Sequence, residues 1–381
     1  MQPISIIVAK PHSSALPQQP LKDGAPAILC SAAPSKNLRF VGYWLLLCAA
    51  MVFVMALLGA TTRLTGSGLS MVTWRPYIEA LPPLTEEAWQ KIFGLYQQSP
   101  QYIQVNMGMS LAEFKLIFFW EWLHRVWGKL ISVVFFMPLC FWAVRRVLPR
   151  SLLFSLLGVM ALGVMQAFLG WFMVKSGLVD RPEVSHYRLA FHLCMAFAIY
   201  SALLNIGFGV LVPVTRSDDK RVRKARKFSL ILLCLAALTI FWGAMVAGLK
   251  AGLVYNSFPL MDGKIVPEEL LQQPHFFLAL FSNHAGVQFI HRCLAFSTFG
   301  FACFLYGQVT KLYVAPVART ATKLVLGALL LQITLGVSTL LWQVPLLLAV
   351  MHQAGAMVVL ASLIWLLHHM RYEKTSEMVL P

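Results

Sequence analysis

Eight long apolar runs divide this chain, at about 40–60, 117–144, 151–175, 187–212, 228–250, 284–308, 320–341 and 346–367. Each is near or above the ~20 residues with which an α-helix crosses ~30 Å of hydrocarbon. Backbone groups in lipid find no water, and a helix satisfies them within the segment itself. Of the 381 residues, 59% are hydrophobic and 12% charged, with a mean hydropathy of +0.70. A soluble core of this length cannot absorb that much apolar surface. The expected fold is an all-α integral membrane protein with eight transmembrane helices.

The formal net charge of +16 invites a nucleic-acid reading. The basic residues lie instead in short segments between apolar runs, so no nucleic-acid partner is expected and the bilayer is the surrounding medium. The N-terminal tail, loops 2–3, 4–5 and 6–7 and the C-terminal tail hold 19 Lys and Arg, against 9 on the opposite side. Both termini are therefore expected in the cytoplasm of a bacterium, with the protein in its inner (plasma) membrane. The alternative is the mitochondrial inner membrane, with both termini in the matrix. Residues 1–39 are polar with no apolar core, and read as a disordered tail or a mitochondrial targeting segment rather than a secretory signal. None of the seven cysteines forms a CxxC or CxxCH, which argues against zinc ribbons and covalently attached c-type haem.

The chain rhymes with itself. "FFWEWLHRVWGKL" at 118–130 and "HAGVQFIHRCLAF" at 284–296 place His-Arg early in an outer-to-inner helix, and His124 and His291 are 167 residues apart. "SHYRLAFHLCMAFA" at 185–198 and "PLLLAVMHQAGAMV" at 345–358 put Leu-Ala before a histidine, with His192 and His352 160 residues apart. The preceding runs, "GVMQAFLGWFMVKSGL" and "LLLQITLGVSTLLW", each carry a Gln and then a Gly four residues on. Two four-helix bundles follow, 40–212 and 228–370, joined by a basic linker at 213–227 and followed by a tail at 371–381. Each half has an even number of spans, so the halves share one orientation, related by a pseudo-two-fold axis along the membrane normal. Two outer loops are long, 61–116 and 251–283, and the first is expected to hold short interfacial helices.

His124, His192, His291 and His352 all fall on even-numbered helices at matched depth, two per half. Ionisable groups inside a membrane are rare and usually functional. One such histidine is readily explained as a hydrogen bond to a neighbouring helix; four in a pattern point to metal ligation. Zinc wants three or four protein ligands, and a proton relay wants more carboxylates than these spans contain. Two facing imidazoles fit the two axial positions of a haem iron. The expected metal ligands are His124 with His192 and His291 with His352. His186 and His284 are expected to be interfacial or supporting, His275 lies in a loop, and His368 and His369 are expected to snorkel at the end of the last helix.

Glu121 stands three residues before His124 on the same helical face. Its counterpart in the repeat is Gln288. A carboxylate beside one site and a neutral amide beside the other makes the N-terminal half the candidate chemical site and the C-terminal half the candidate electron-transfer site. Two blander roles stand beside this one: an ion pair with Arg125 at i+4, and orientation of His124. Arg63, Arg75, Arg125, Arg188, Lys250 and Arg292 are candidates for binding haem propionates.

Several stretches resemble the heme A synthase family, in the branch shared by proteobacteria and mitochondria. They are "GATTRLTGSGLSMVTWRP" at 59–76, "EWLHR" at 121–125, "VAGLKAGLVYNSFPLMDG" at 246–263, "VQFIHR" at 287–292 and "HQAGA" at 352–356. The resemblance covers about 40–370. It implies an oxidoreductase that converts heme O to heme A by oxidising a porphyrin methyl to a formyl group for terminal oxidases. It further implies heme b as cofactor on His291 and His352, the substrate heme O on His124 and His192, and a catalytic role for Glu121. Expected partners are heme O, the enzyme that supplies it, an electron-transfer partner and, as an open option, a second copy of the chain. The cysteine pair that some bacterial members carry in an outer loop is absent from this sequence. A competing reading is a diheme b-type cytochrome passing electrons between quinol and a partner. A third is a haem chaperone without catalysis.

Overall fold

The computed structural model describes residues 35–72, 81–177, 182–212, 219–312 and 316–370. Most of the N-terminal tail, Arg75 with the end of its motif, part of the basic linker and the C-terminal tail lie outside the described residues. The helices are α1 (Lys36–Leu64), α2 (Glu86–Tyr96), α3 (Pro100–Gln104), α4 (Leu111–Val144), α5 (Arg150–Gly177), α6 (His186–Leu211), α7 (Lys220–Gly248), α8 (Glu268–Leu271), α9 (Phe276–Ser282), α10 (His284–Thr310), α11 (Pro316–Leu341) and α12 (Leu346–His369). Eight of them, α1, α4, α5, α6, α7, α10, α11 and α12, are long and apolar enough to cross a membrane. They coincide with the eight apolar runs.

Differences from expectation sit at the ends, where capping outweighs hydropathy. α4 begins at Leu111 rather than near 117, because Ser110 and Glu113 form a reciprocal capping box. α7 begins at Lys220 rather than 228, because the Asp219 side chain accepts from the Arg221 N–H at 2.7 Å. Much of the expected linker is thus the first two turns of a helix. The first outer loop does carry two short helices, α2 and α3, each opened by a Thr or Ser cap. The second carries α8 and α9, which hydropathy alone does not separate from loop.

The helices contact in two rings. α1, α4, α5 and α6 close one, each touching its neighbours in that order, and α7, α10, α11 and α12 close the other. α6 against α7, with α12 against α1 and α6, joins them. α1 is the central element: half of its most apolar window is buried, against 11% for α4, α5 and α11, which turn wide faces outward. A shared core of Val41, Leu45, Cys48 and Val52 with Leu203 and Leu204 takes in Met357 and Leu360 of α12. Indole N–H groups tie α1 to α4, Trp44 to the Val134 carbonyl at 2.8 Å and Trp127 to the Met51 carbonyl at 2.9 Å.

Two polar bonds link the rings near the sites described below. The Arg63 guanidinium donates to the Ala247 carbonyl at 2.5 Å, and the Gln353 amide donates to the Ala56 carbonyl at 2.6 Å. Outside the spans, Asn283 caps α10 through the Ala285 and Gly286 N–H groups and also donates to Glu269 at 2.8 Å. Tyr255 donates to the same carboxylate at 2.8 Å. These two bonds, Asn283 first, hold the Glu269 carboxyl below its usual range. Burial, then the Glu269 bond and charge, pushes the Tyr255 phenol up to about 12. The start of α10, which carries His291, is thereby pinned to the second loop.

Gly207 on α6 sits where α1 passes closest. A Cβ there would lie 3.1 Å from Leu46 Cδ2 and 3.5 Å from Leu45 Cβ. Membrane helices associate closely through such small residues. Gly207→Leu is expected to cost about 1–3 kcal/mol by overpacking. In detergent its thermal unfolding midpoint should fall, while Gly209→Leu, with open space at its Cβ position, leaves the midpoint unchanged.

Candidate functional site

The four intramembrane histidines share one local arrangement. Each imidazole lies against a glycine on the preceding long helix. A Cβ at Gly59 of α1 would stand 3.5 Å from His124 Nε2, and one at Gly170 of α5 3.0 Å from His192 Cε1. One at Gly243 of α7 would stand 2.9 Å from His291 Cε1, and one at Gly336 of α11 2.7 Å from His352 Cε1. Any side chain larger than hydrogen would displace the rings at the last three positions. The imidazoles therefore sit between helices, not against lipid. His124 and His192 lie close enough to interact electrostatically, as do His291 and His352.

The ring nitrogens differ in their partners. His291 Nδ1 donates to the Thr239 carbonyl at 3.0 Å, which leaves the Nε2 lone pair free. His192 Nε2 faces the Gln166 amide nitrogen at 3.3 Å, and its Nδ1 is buried without a partner. His352 is likewise buried, with the Gln332 backbone beside its ring. Among the described residues, no three His, Cys, Asp or Glu side chains converge to hold a bare metal ion. Imidazoles in twos, buried between helices and within electrostatic reach of one another, fit as ligands of a haem iron. The residues present suit that group in both halves.

Glu121 is 3% exposed, the one buried carboxylate among the described residues. It accepts from the Ser70 hydroxyl at 2.7 Å, the Met71 N–H at 2.9 Å and the Arg125 guanidinium at 2.6 Å. Arg125 also donates to the Met71 carbonyl at 3.1 Å. Gln288 occupies the matching place in the other half. Its oxygen accepts from Arg292 at 3.1 Å, and its amide donates to the Ala251 carbonyl at 2.9 Å and the Val254 carbonyl at 2.7 Å. Each helix thus presents an i, i+4 pair to an outer loop. The loop offers donors where the residue is Glu and acceptors where it is Gln.

Residues 42–364 match the family model of COX15-CtaA, described as cytochrome oxidase assembly protein. The chain belongs to the COX15-CtaA family.

That match spans both histidine pairs and the Glu121 and Gln288 clusters. Curated relatives named heme A synthase include that of Rhodospirillum centenum, 46% identical over 345 residues, covering 91% of either chain. Those of Nitrosospira multiformis, at 43%, and Paramagnetospirillum magneticum, at 47%, each cover 87% of this chain and 93% of their own length. Membership extends over nearly the whole described membrane part and gives the family resemblance read from the motifs a firm basis.

Several cationic side chains have protein partners already. Arg125 and Arg292 are committed to their loops, Arg292 also bonding the Tyr255 carbonyl at 2.9 Å. Arg63 reaches α7, and Arg188 lies over the Phe172 ring at 4.2 Å. Lys250 occupies a left-handed turn after α7. His186 and His284 are neighbours at the α6–α10 seam. His368 and His369 do not snorkel. They are buried against Trp365, and His368 Nε2 donates to the Val212 carbonyl at 2.8 Å, a tertiary contact that hydropathy cannot foresee.

Ser70, Met71, Thr239, Gly59 and Gly243 carry no signal of their own in the sequence. The Gln-x-x-x-Gly rhyme before His192 and His352 was visible, and the structure supplies its reason: Gly170 and Gly336 are the ring seats. Replacing Glu121 by Gln turns an NH2 toward the Ser70 and Met71 donors. A loss of about 2 kcal/mol is expected, read as a lower melting midpoint and faster proteolysis of the 65–72 segment. Gln288→Glu should show the same defect, its carboxylate facing two carbonyls.

Proposed function

We propose that this protein is a heme A synthase of a bacterial plasma membrane. The carrying observation is the asymmetry of two otherwise matched sites. Each pairs histidines over glycine seats, yet only the N-terminal one stands beside a buried carboxylate. The names and proteobacterial sources of its relatives support the same reading and give no support to a quinol-linked electron carrier. In this reading the halves are pseudo-two-fold related, as their shared histidine, glycine and i, i+4 features suggest.

Heme O is the substrate, held by His124 and His192 in the N-terminal half and received from the enzyme that makes it. One porphyrin methyl becomes a formyl group. With water as the oxygen source, that change releases four electrons and four protons, through an alcohol and then a geminal diol that loses water. His291 and His352 would hold a b-type haem, which supplies one-electron transfer when bound. The chain's own contributions are binding, orientation and charge. Gly59 and Gly170 seat the two substrate-side rings between helices. Glu121, fixed by Ser70, Met71 and Arg125, stands one turn from His124. A carboxylate there would favour a cation developing at the methyl carbon and provide an acceptor for its proton. Arg125 restrains the carboxylate, so its position is set before the substrate arrives.

Porphyrins extracted from the protein co-expressed with a heme O source should contain heme B together with heme O or heme A, by mass. Heme B alone would refute the proposal. Glu121→Ala should retain bound porphyrin but stall at heme O or the alcohol; heme A formed at the normal rate would remove Glu121 from catalysis.

A further inference from the structure

The two halves differ most deeply two turns inward of the first histidine of each. In the C-terminal half, Thr239 of α7 and Thr298 of α10 face one another with hydroxyl oxygens 2.9 Å apart. The two hydroxyls hold two protons between them: one donates across the bridge, and the other donates to a carbonyl of its own helix, Leu235 at 2.8 Å or Leu294 at 2.7 Å. Thr298 is buried and lies seven residues after His291, on the same helical face. Thr239 lies four residues before Gly243, and its carbonyl is the one that accepts from His291 Nδ1. Seat, carbonyl acceptor and hydroxyl bridge therefore converge on one ring. The bridge ties α7 to α10 beside the helix turn that carries the Thr239 carbonyl.

The N-terminal half has the seat without the rest. By the spacing of the repeat, Met55 and Ile131 stand where Thr239 and Thr298 stand. Neither side chain can hydrogen-bond. Met55 packs instead toward Gly128, its Cε 3.2 Å from where a Cβ would be. Among the described residues no hydrogen bond reaches the His124 ring, and the approach at Gly59 is the loosest of the four.

We propose that the Thr239–Thr298 bridge is a positioning device that locks His291 as a permanent haem ligand. Its replacement by Met55 and Ile131 leaves His124 free to turn so that porphyrin can arrive and depart. The inference rests on the two-haem reading above and adds a division of labour to it: one site built to retain, the other to exchange. A ligating histidine whose other nitrogen is bonded to a fixed carbonyl is held in tautomer and orientation and is a stronger donor to iron. A ring without that bond pivots at lower cost.

The test uses the full-length protein purified in detergent with its haem. Thr298→Val keeps the shape and removes the hydroxyl; Thr298→Ser keeps the hydroxyl. Loss of heme B to excess apomyoglobin should be about tenfold faster for Thr298→Val, with a higher reduction potential and a shifted low-spin ferric EPR signal. Thr298→Ser should restore all three. Wild-type behaviour of Thr298→Val, or equal damage by Thr298→Ser, overturns the bridge. The converse double variant, Met55→Thr with Ile131→Thr, should slow release of the N-terminal porphyrin to the same acceptor. Unchanged release overturns the claim for His124. If the wild-type protein retains no heme B at all, the two-haem reading itself fails, an outcome distinct from both.

Discussion

Everything at the centre of this molecule depends on how closely an imidazole can approach a helix. Lipid-facing histidines would be solvated by nothing, and histidines packed against ordinary side chains would be held about a methyl group farther away. A glycine on the facing helix removes that methyl and lets the ring rest against backbone. Three such meetings, at Gly170, Gly243 and Gly336, and a looser one at Gly59, keep four polar rings inside an apolar protein. His291 completes the arrangement with the Thr239 carbonyl at 3.0 Å. The unpaired nitrogen at His192 is a buried polar group that a flat iron macrocycle would satisfy.

Around this shared frame, the halves have diverged by complementary changes. The carboxylate of Glu121 faces a hydroxyl and an N–H, whereas the amide of Gln288 faces two carbonyls. The arginine one turn later serves both. Polarity of the loop and identity of the helix residue had to change together, because either change alone leaves like groups opposed. The two sites therefore carry different polar surroundings beside similarly placed histidines, as the distinct roles proposed for them would require.

Much of this was legible in the sequence. Eight spans, the histidine quartet and the Glu121–Gln288 contrast all follow from hydropathy and spacing, since lipid leaves the backbone few choices and makes intramembrane charge conspicuous. Helix ends were less legible, because Ser110 and Asp219 act through local hydrogen bonds that an apolar window averages away. α8 and α9 escaped for the same reason. The burial of His368 and His369 depends on Trp365 and on Val212, more than 150 residues distant from the first of them. The roles of the glycines and the threonine bridge were illegible for a different reason. A glycine or threonine in a membrane helix is common, and only its facing partner gives it meaning.

α1 belongs to both centres at once. Its Gly59 seats His124, while its Ala56 carbonyl, one turn away, holds Gln353, the residue next to His352. Arg63 at its outer end grips α7. A slide of this single rod along its axis would shift the packing of one histidine and the amide tether beside another, so the two rings of helices share one shaft.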